Sequence, residues 1–246
     1  MQIQYSVQDT LGIITLCNPP YNTLLTPVFA DRKELGDFLS LPGLKGAIVT
    51  GSGRHFCGGA DLAGLRQLRK QPELFSAMLD EGKKILQTIG DATVPVAAAI
   101  RGSCLGAGLE IALFCHFRFA SPSALFGFPE AEQCIMPGLG GTLLIQEVTP
   151  QHQVMELILS GRIIQGAEAE QYGLVDHTGT TRSIEHEAAQ FLHALTDNRS
   201  TKQIRSIMQS ILNGKKMSRE KALHQETVLF ESLVRDLPSQ AFNTII

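Results

Sequence analysis

The sequence predicts an α/β fold followed by a helical C-terminal region. Two stretches, residues 46–51 and 94–100, have the length and the continuous apolar character of buried strands. Each runs into a glycine-rich segment and then into a sequence with helical periodicity. From about residue 150 onward, apolar residues recur at the spacing of amphipathic helices. Strands that alternate with helices and then give way to helices are typical of an α/β core with an appendage.

The N-terminal elements are predicted to be two strands, over residues 2–6 and 12–17, separated by a turn at residues 8–10. Asn18-Pro19-Pro20 ends the second strand. Thr26-Pro27 predicts the start of a helix, because threonine is a favoured N-cap and proline is favoured at the first helical position. The first part of the chain is therefore expected to be a strand pair that leads into a helix.

Amphipathic helices are predicted further along the chain. An apolar stripe over residues 75–89 falls on one helical face. We interpret its members Phe75 and Met78 as core residues, with contact to an acyl chain as the alternative. Another helix is expected to begin near Glu110. A stripe over residues 204–212 predicts a further helix, and a last helix is expected to reach about residue 236. We therefore predict a core over residues 1–195 and a helical region over residues 196–246.

Composition excludes several classes of protein. The 246 residues carry 21 Lys+Arg and 24 Asp+Glu, a net charge of −3, which lacks the basic excess of a nucleic-acid binder. Five cysteines without a CxxC pair favour free thiols over a disulfide framework. The N-terminus has no apolar leader, and the most apolar stretch is too short to span a bilayer. We expect a soluble, cytoplasmic protein without a nucleic-acid or membrane partner.

Common motifs for metals and nucleotides are missing from the sequence. It contains no P-loop, no GxSxG nucleophile turn and no complete dinucleotide-binding fingerprint. The histidines show no metal-ligand spacing, and His116 beside Cys115 is interpreted as packing, because neighbours on a strand point to opposite faces. We therefore expect no metal centre.

Two glycine-rich junctions, over residues 55–62 and 102–110, each lie between a buried strand and a helix. The start of a helix leaves backbone N–H groups unpaired, and small residues let an oxygen atom approach them. Two such junctions side by side can supply converging N–H donors to one carbonyl oxygen, which is an oxyanion hole. For either segment alone, a simple tight turn is the other interpretation.

Two glutamates lie in apolar surroundings. Glu110 falls inside an apolar helix start, and Glu130 follows the apolar residues 124–129. A carboxylate that is buried without a partner is costly, and burial raises its pKa toward the range that is useful for proton transfer near neutral pH. The alternative interpretation is that Glu110 caps helix N–H groups and that Glu130 begins a helix with a favourable dipole.

Five motifs in this order resemble those of the crotonase (enoyl-CoA hydratase/isomerase) superfamily. They cover residues 56–62, 102–110, 126–130, 137–142 and 167–175. The resemblance extends over nearly the whole chain. It implies a crotonase-like spiral of ββα units with a helical C-terminal region that serves in trimer formation or as a lid. It also implies assembly into homotrimers or dimers of trimers.

The resemblance further implies site residues. The backbone N–H groups of Ala60 and Ala107 would form the oxyanion hole, although Ala107 replaces the middle glycine of the family motif. Glu110 and Glu130 match the two glutamates of hydratases, with Glu130 donating a proton to the α-carbon and Glu110 orienting and activating the water. Residues of the same motifs would contact the substrate: Cys57, Gly58, Asp61, Leu62, Gly106, Pro129 and Gly138.

The implied activity is the hydration of a 2-enoyl-CoA thioester, or the reverse dehydration. Coenzyme A would be part of the substrate, and no separate cofactor is expected. Family members that only isomerise often keep just the second glutamate, so the presence of both favours hydration. A protein that binds acyl thioesters in this fold without catalysis is a further alternative.

The cations by which the family commonly binds coenzyme A are depleted. Residues 18–22, 62–64 and 242–246, where such cations often lie, contain no Lys or Arg. A phosphorylated nucleotide is usually held by such side chains. Either a cation after the first loop replaces them, or the substrate is an acyl-carrier-protein thioester that is isomerised or dehydrated. The candidate cations are Arg66, Arg69 and Lys70.

Overall fold

The computed structural model describes residues 2–179 and 183–237, and it confirms the predicted α/β class. The strands are β1 (Gln2–Gln8), β2 (Leu11–Cys17), β3 (Gly46–Gly51), β4 (Val96–Ile100), β5 (Ser103–Leu105), β6 (Phe117–Ala120), β7 (Leu125–Gly127), β8 (Ile163–Gln165) and β9 (His177–Thr178). The helices are α1 (Arg32–Leu39), α2 (Leu62–Leu68), α3 (Pro72–Gly90), α4 (Ala107–Phe114), α5 (Gly141–Leu144), α6 (Gln151–Ser160), α7 (Gly166–Gln171), α8 (Ile184–Thr196), α9 (Thr201–Lys216) and α10 (Arg219–Arg235). Two short 3-10 helices span Pro129–Gln133 and Ile145–Glu147.

The described strands form two sheets. The larger has the order β1-β2-β3-β4-β6-β9, with β1 antiparallel to β2 and every other pair parallel. The smaller has the order β5-β7-β8. All residues of β3 and β4 are buried, as expected for central parallel strands that are covered on both faces. The loops after β3 and β5 lead directly into the candidate site.

The prediction of a helix at Thr26-Pro27 is wrong. The helix α1 begins only after Asp31, whose side chain accepts a backbone hydrogen bond from its first turn. An Asp cap of this kind satisfies an otherwise unpaired helical N–H group. Leu24 instead forms a parallel β-bridge with Ala60. The segment 24–27 is thereby held against the first glycine-rich loop and does not form a helix.

The region after residue 150 is mainly helical, as predicted, but it also contains β8 and β9. These short strands pair with β7 and β6 and so extend the sheets of the core. Helices α9 and α10 pack on each other, and Ile204 of α9 reaches the main hydrophobic core. The division between residues 195 and 196 stays a prediction, and residues 238–246 lie outside the described part of the chain. None of the described helices is long and apolar enough to cross a membrane.

His116 has the packing role that was predicted for it. Its Nδ1 atom accepts a hydrogen bond from the backbone N–H of Val96 at 2.9 Å, and its Nε2 atom lies 3.3 Å from the carbonyl oxygen of Gly90. Burial lowers the pKa of His116 and so favours the neutral ring that these contacts require. This histidine therefore connects α3 to the start of β4.

Candidate active site

The two glycine-rich loops lie side by side. Cys57 and Cys104 form an isolated parallel β-bridge, in which the Cys57 N–H donates to the Ser103 oxygen at 2.9 Å and the Leu105 N–H donates to the Cys57 oxygen at 3.0 Å. Gly59 has a φ angle of +99°, and a Cβ atom there would lie 2.9 Å from the Leu105 oxygen. Only glycine permits this close approach.

The backbone N–H groups of Ala60 and Ala107 are free to bind an oxygen atom. Ala107 is the first residue of α4 and follows the N-cap Gly106, so its N–H has no acceptor within the helix. Neither N–H has a backbone acceptor among residues 2–179 and 183–237. Both residues line the same cavity. The two N–H groups thus lie at one cavity without a backbone acceptor, and their assignment as an oxyanion hole stays a prediction.

The first of these loops is clamped by a buried asparagine that sequence reasoning missed. The Asn22 side chain is fully buried, and its Nδ2 atom donates to the carbonyl oxygens of Ser52 at 2.9 Å and His55 at 2.7 Å. One residue earlier, the Tyr21 oxygen accepts a hydrogen bond from the Gly58 N–H at 2.7 Å. The signal was present in the turn itself, since asparagine in a turn commonly bonds to backbone groups. This clamp fixes the loop that carries Ala60.

The cavity next to the two loops has a volume of about 490 Å³ and mainly aliphatic walls. The apolar side chains that line it come from four segments of the chain: Leu24, Leu25, Pro27, Leu62, Leu65, Phe75, Leu79, Ile135, Met136 and Leu139. Phe75 is only half-buried and faces this cavity, so its assignment to the core is wrong. The buried residues of α3 lie in its C-terminal half. The N-terminal half of α3 therefore lines the cavity, and its C-terminal half packs in the core.

Glu110 is almost completely buried in the wall of the cavity. Its Oε1 atom accepts hydrogen bonds from the backbone N–H groups of Leu139 at 2.7 Å and Gly141 at 2.8 Å. Burial raises the pKa of Glu110, and these two hydrogen bonds oppose the rise by stabilising the ionised form. The alternative that Glu110 caps helix N–H groups is correct for α5 but not for its own helix, because Gly141 is the first residue of α5 and Leu139 lies just before it.

Glu130 lies in the 3-10 helix Pro129–Gln133, and its carboxyl group is held against the second loop. A side chain at Gly106 would collide with its Oε1 atom. Its Oε2 atom is buried and has no hydrogen-bond partner in the described part of the chain. Burial, with a further contribution from the charge of Glu110, raises the pKa of Glu130 to about 7. Near neutral pH this group therefore exists in both protonation states.

The structure brings most of the predicted substrate-contacting residues to this cavity and places two elsewhere. The residues that line the cavity are Gly58, Leu62, Gly106, Pro129 and Gly138. Cys57 is fully buried behind the loop, where burial raises the pKa of its thiol to about 12. Asp61 is the N-cap of α2 and accepts hydrogen bonds from the N–H groups of Ala63 and Gly64. Both predictions of substrate contact are corrected, since these side chains support the loop.

Three exposed cations follow the first loop. Arg66 lies in α2, and Arg69 and Lys70 follow at its end. Within the described ranges none of them forms an ion pair, so their charges remain available to an anion. Leu62 and Leu65 of the same helix line the cavity. The segment 242–246 lies outside the described residues.

The raised pKa of Glu130 predicts a pH-dependent cost to stability. The unfolded chain ionises this group at about 4.5 and the folded chain at about 7, so the folded state loses relative stability as the pH rises through this window. Glu130→Gln removes the ionisation. We expect the free energy of unfolding of the variant, relative to wild type, to rise by about 3 kcal/mol between pH 4 and pH 8.

Urea unfolding at a series of pH values measures this difference. Glu132→Gln is the matched control, because Glu132 lies two residues away in the same 3-10 helix and is exposed. The difference between Glu130→Gln and wild type should change with pH by more than the difference between this control and wild type. An equal change for both variants would contradict the raised pKa of Glu130 in the folded state.

Comparison with known proteins gives a consistent result. The sequence model of the family described as "Enoyl-CoA hydratase/isomerase" matches residues 6–241. A "Probable enoyl-CoA hydratase" of Bacillus subtilis is 31% identical over 229 residues, which cover 93% of this chain and 88% of the relative. A peroxisomal bifunctional enzyme of Cavia porcellus is 36% identical over 188 residues, 74% of this chain. The matched part is only 24% of that larger protein.

Solved structures agree with the sequence matches. An enoyl-CoA hydratase from Polaromonas sp. JS666 has a TM-score of 0.83 at 26% identity and covers 97% of this chain and 92% of its own. One from Bacillus anthracis has a TM-score of 0.82 at 27% identity and covers 96% of this chain and 92% of its own. The predicted crotonase fold is thereby confirmed. The chain belongs to the enoyl-CoA hydratase/isomerase family.

Proposed function

We propose that this chain is an enoyl-CoA hydratase that adds water to a 2-enoyl thioester, or removes it in the reverse direction. One observation carries the proposal: Glu110 and Glu130, in different environments, line one aliphatic cavity with two backbone N–H groups that lack a backbone acceptor. The third carboxyl group of the lining, that of Glu132, is exposed. Glu110 is held by two hydrogen bonds, whereas Glu130 has an oxygen without a partner. Two titratable groups whose surroundings push their pKa values apart are suited to opposite roles in acid–base catalysis.

The proposed reaction begins with the thioester oxygen between the N–H groups of Ala60 and Ala107. The Glu110 carboxylate accepts a proton from a water molecule while the water oxygen forms a bond to the β-carbon. The electron pair of the double bond moves toward the thioester, and the two N–H groups stabilise the enolate. Protonated Glu130 then donates its proton to the α-carbon. Proton exchange between the two carboxyl groups and solvent restores the starting state, and the net change is the addition of one water.

The test is hydration of crotonyl-CoA by the purified protein, followed as loss of the conjugated enoyl absorbance. We expect turnover by wild type and a large loss in Glu110→Gln, because removal of one general acid–base group typically costs about 10²–10⁴-fold in rate. The same proteins are assayed for isomerisation of a 3-enoyl-CoA. If wild type isomerises but does not hydrate, and Glu110→Gln keeps that activity, the hydratase proposal is wrong and the chain is an isomerase.

A carrier-protein thioester is the second candidate substrate. The turn at residues 18–22 contacts the loop that holds Ala60 and has no cation with which to bind a nucleotide phosphate. Three unpaired cations near α2 favour coenzyme A instead. Crotonyl-CoA, crotonyl-pantetheine and a crotonylated carrier protein separate the two. A KM that is lower for crotonyl-CoA than for crotonyl-pantetheine, and that rises in Arg66→Ala, supports coenzyme A, whereas preference for the carrier supports the alternative.

Several expectations accompany this proposal. Assembly into homotrimers or dimers of trimers stays a prediction from the family resemblance, and a cytoplasmic location stays a prediction from the composition of the sequence. We also keep the prediction that no separate cofactor is needed, since the proposed steps use only two carboxyl groups, two backbone N–H groups and water.

A further inference from the structure

The side chains that line the cavity are exposed to solvent on one side and buried on the other. Met136 and Ile135 on one side are 62% and 49% exposed. Leu24 and Leu139 at the other side are 1% and 4% exposed, and Pro27 is buried beside them. A ligand that enters at the rim therefore has its far end among Leu24, Pro27 and Leu139.

The buried end is closed by a tight contact of α3. A Cβ atom at Gly82 would lie 2.6 Å from the Pro27 oxygen and 3.0 Å from the Leu139 Cδ2 atom. The helix backbone thus lies directly against both residues, and no space remains between them for even a methyl group. The glycine lets the helix, the segment 24–27 and the segment around Leu139 meet at one point.

Leu79 lines the cavity one helical turn before this tight contact. It lies three residues before Gly82 and therefore on the same face of α3. Its Cδ2 atom lies 3.6 Å from the position that a Cβ atom would take on Gly138, which also lines the cavity. Leu79 therefore lies between the contact at Gly82 and the segment whose Leu139 N–H holds Glu110.

The distance from the oxyanion hole to this end is short. The Leu24 N–H donates to the Gly59 oxygen at 2.8 Å, and the Asp61 N–H donates to the Leu24 oxygen at 2.7 Å, so Leu24 lies beside Ala60. Pro27 follows three residues later, and three residues span at most ~10 Å. A thioester whose oxygen is bound by the Ala60 N–H therefore has a limited length of acyl chain before it meets Leu79.

We propose that Leu79 sets the longest acyl chain that this site accepts, and that the substrate is an unbranched aliphatic 2-enoyl thioester longer than crotonyl. This inference rests on the proposed function. The end of the cavity has only aliphatic side chains, which offer no hydrogen bond to a polar acyl group. Each methylene that reaches this wall raises kcat/KM by about fourfold, until Leu79 blocks the next one.

The test compares kcat/KM for the 2-enoyl-CoA series crotonyl, hexenoyl, octenoyl, decenoyl and dodecenoyl in wild type, Leu79→Ala and Leu79→Phe. We expect a maximum beyond crotonyl in wild type, a maximum at longer chains in Leu79→Ala and one at shorter chains in Leu79→Phe. Met78→Ala is the matched control, since Met78 is adjacent in α3 and does not line the cavity. It should keep the wild-type profile.

Competition by the corresponding saturated acyl-CoA series measures the same preference without turnover. Identical chain-length profiles in wild type and both Leu79 variants, in both measurements, would overturn the inference while leaving hydration intact. A wild type that hydrates no member of the series, but whose binding preference shifts with Leu79, would instead contradict the proposed function and support the pocket assignment. A wild-type maximum at crotonyl would refute the proposed substrate class.

Discussion

Replacing Glu130 with glutamine is expected to reduce kcat for hydration by about 10³-fold or more, at the upper end of what a general acid contributes. Glutamine keeps the size and the neutral charge of the protonated side chain but cannot donate a proton to carbon. The buried, unpartnered Oε2 atom and the pKa of about 7 show why Glu130 is protonated often enough to act near neutral pH. KM should change little, because the amide fills the same space beside Gly106.

An experiment that follows exchange of the α-proton of a thioester distinguishes the roles of Glu110 and Glu130. A saturated thioester such as butyryl-CoA has an α-proton but no double bond, so its exchange in deuterated water requires the oxyanion hole and one base, without any addition of water. We expect wild type and Glu110→Gln to exchange this proton and Glu130→Gln to fail. Glu73→Gln is the control, because Glu73 is an exposed carboxyl residue of α3 that does not line the cavity, and this variant should behave as wild type. Exchange that survives in Glu130→Gln and is lost in Glu110→Gln would reverse the assignment.

The same ionisation should appear in the pH profile. Hydration needs protonated Glu130, so kcat/KM in that direction should fall as the pH rises through the pKa of about 7 in the free enzyme. Dehydration should fall over the same range, because the reaction takes up no net proton and the ratio of the two kcat/KM values therefore equals an equilibrium constant that does not change with pH. A hydration profile that is flat from pH 6 to pH 8 would contradict Glu130 as the proton donor.

The sequence predicts the parts of this site that depend on local pattern. β3 and β4 were recognisable as continuous apolar runs, and the glycine-rich segments after them are needed wherever backbone must approach backbone closely. Glu110 and Glu130 were conspicuous because charged side chains rarely occur in such apolar surroundings. Each of these features depends on a few adjacent residues and is therefore visible in the sequence. The order of the five motifs along the chain then indicates one family.

Features that depend on distant contacts were not predictable in the same way. Thr26-Pro27 has a good local signal for a helix start, but the β-bridge between Leu24 and Ala60 holds this segment at the cavity wall. Phe75 belongs to a helical stripe whose later residues lie in the core. Only the packing of α3 shows that the first part of this stripe lines the cavity instead. The turn at Asn22 indicates that its side chain bonds backbone groups, but only the fold shows that these are the carbonyl groups of Ser52 and His55.

The proposed oxyanion hole gives the second large prediction, because one of its two N–H donors can be removed by a substitution at Ala107. Ala107 is the first residue of α4, the position at which proline is best tolerated in a helix. Ala107→Pro therefore removes the N–H group and preserves the helix. We expect kcat/KM for hydration to fall by about 10²–10³-fold, the usual cost of losing one oxyanion-hole donor. Circular dichroism and thermal unfolding check that the fold is intact.

Ala107→Gly is the matched control, because it changes the same side chain and keeps the N–H donor. It should retain activity within a few-fold of wild type, since the backbone at this position is already held by the contact of Gly59 with the second loop.

The carbonyl stretching frequency of a bound saturated thioester measures the hydrogen bond from the Ala107 N–H directly. Binding should lower this frequency in wild type and Ala107→Gly, and should lower it less in Ala107→Pro. A folded Ala107→Pro protein that hydrates crotonyl-CoA at the wild-type rate would show that the enolate charge is stabilised elsewhere. In that case the side-by-side arrangement of the two loops would be a packing feature only, and the two glutamates would have to carry the reaction without it.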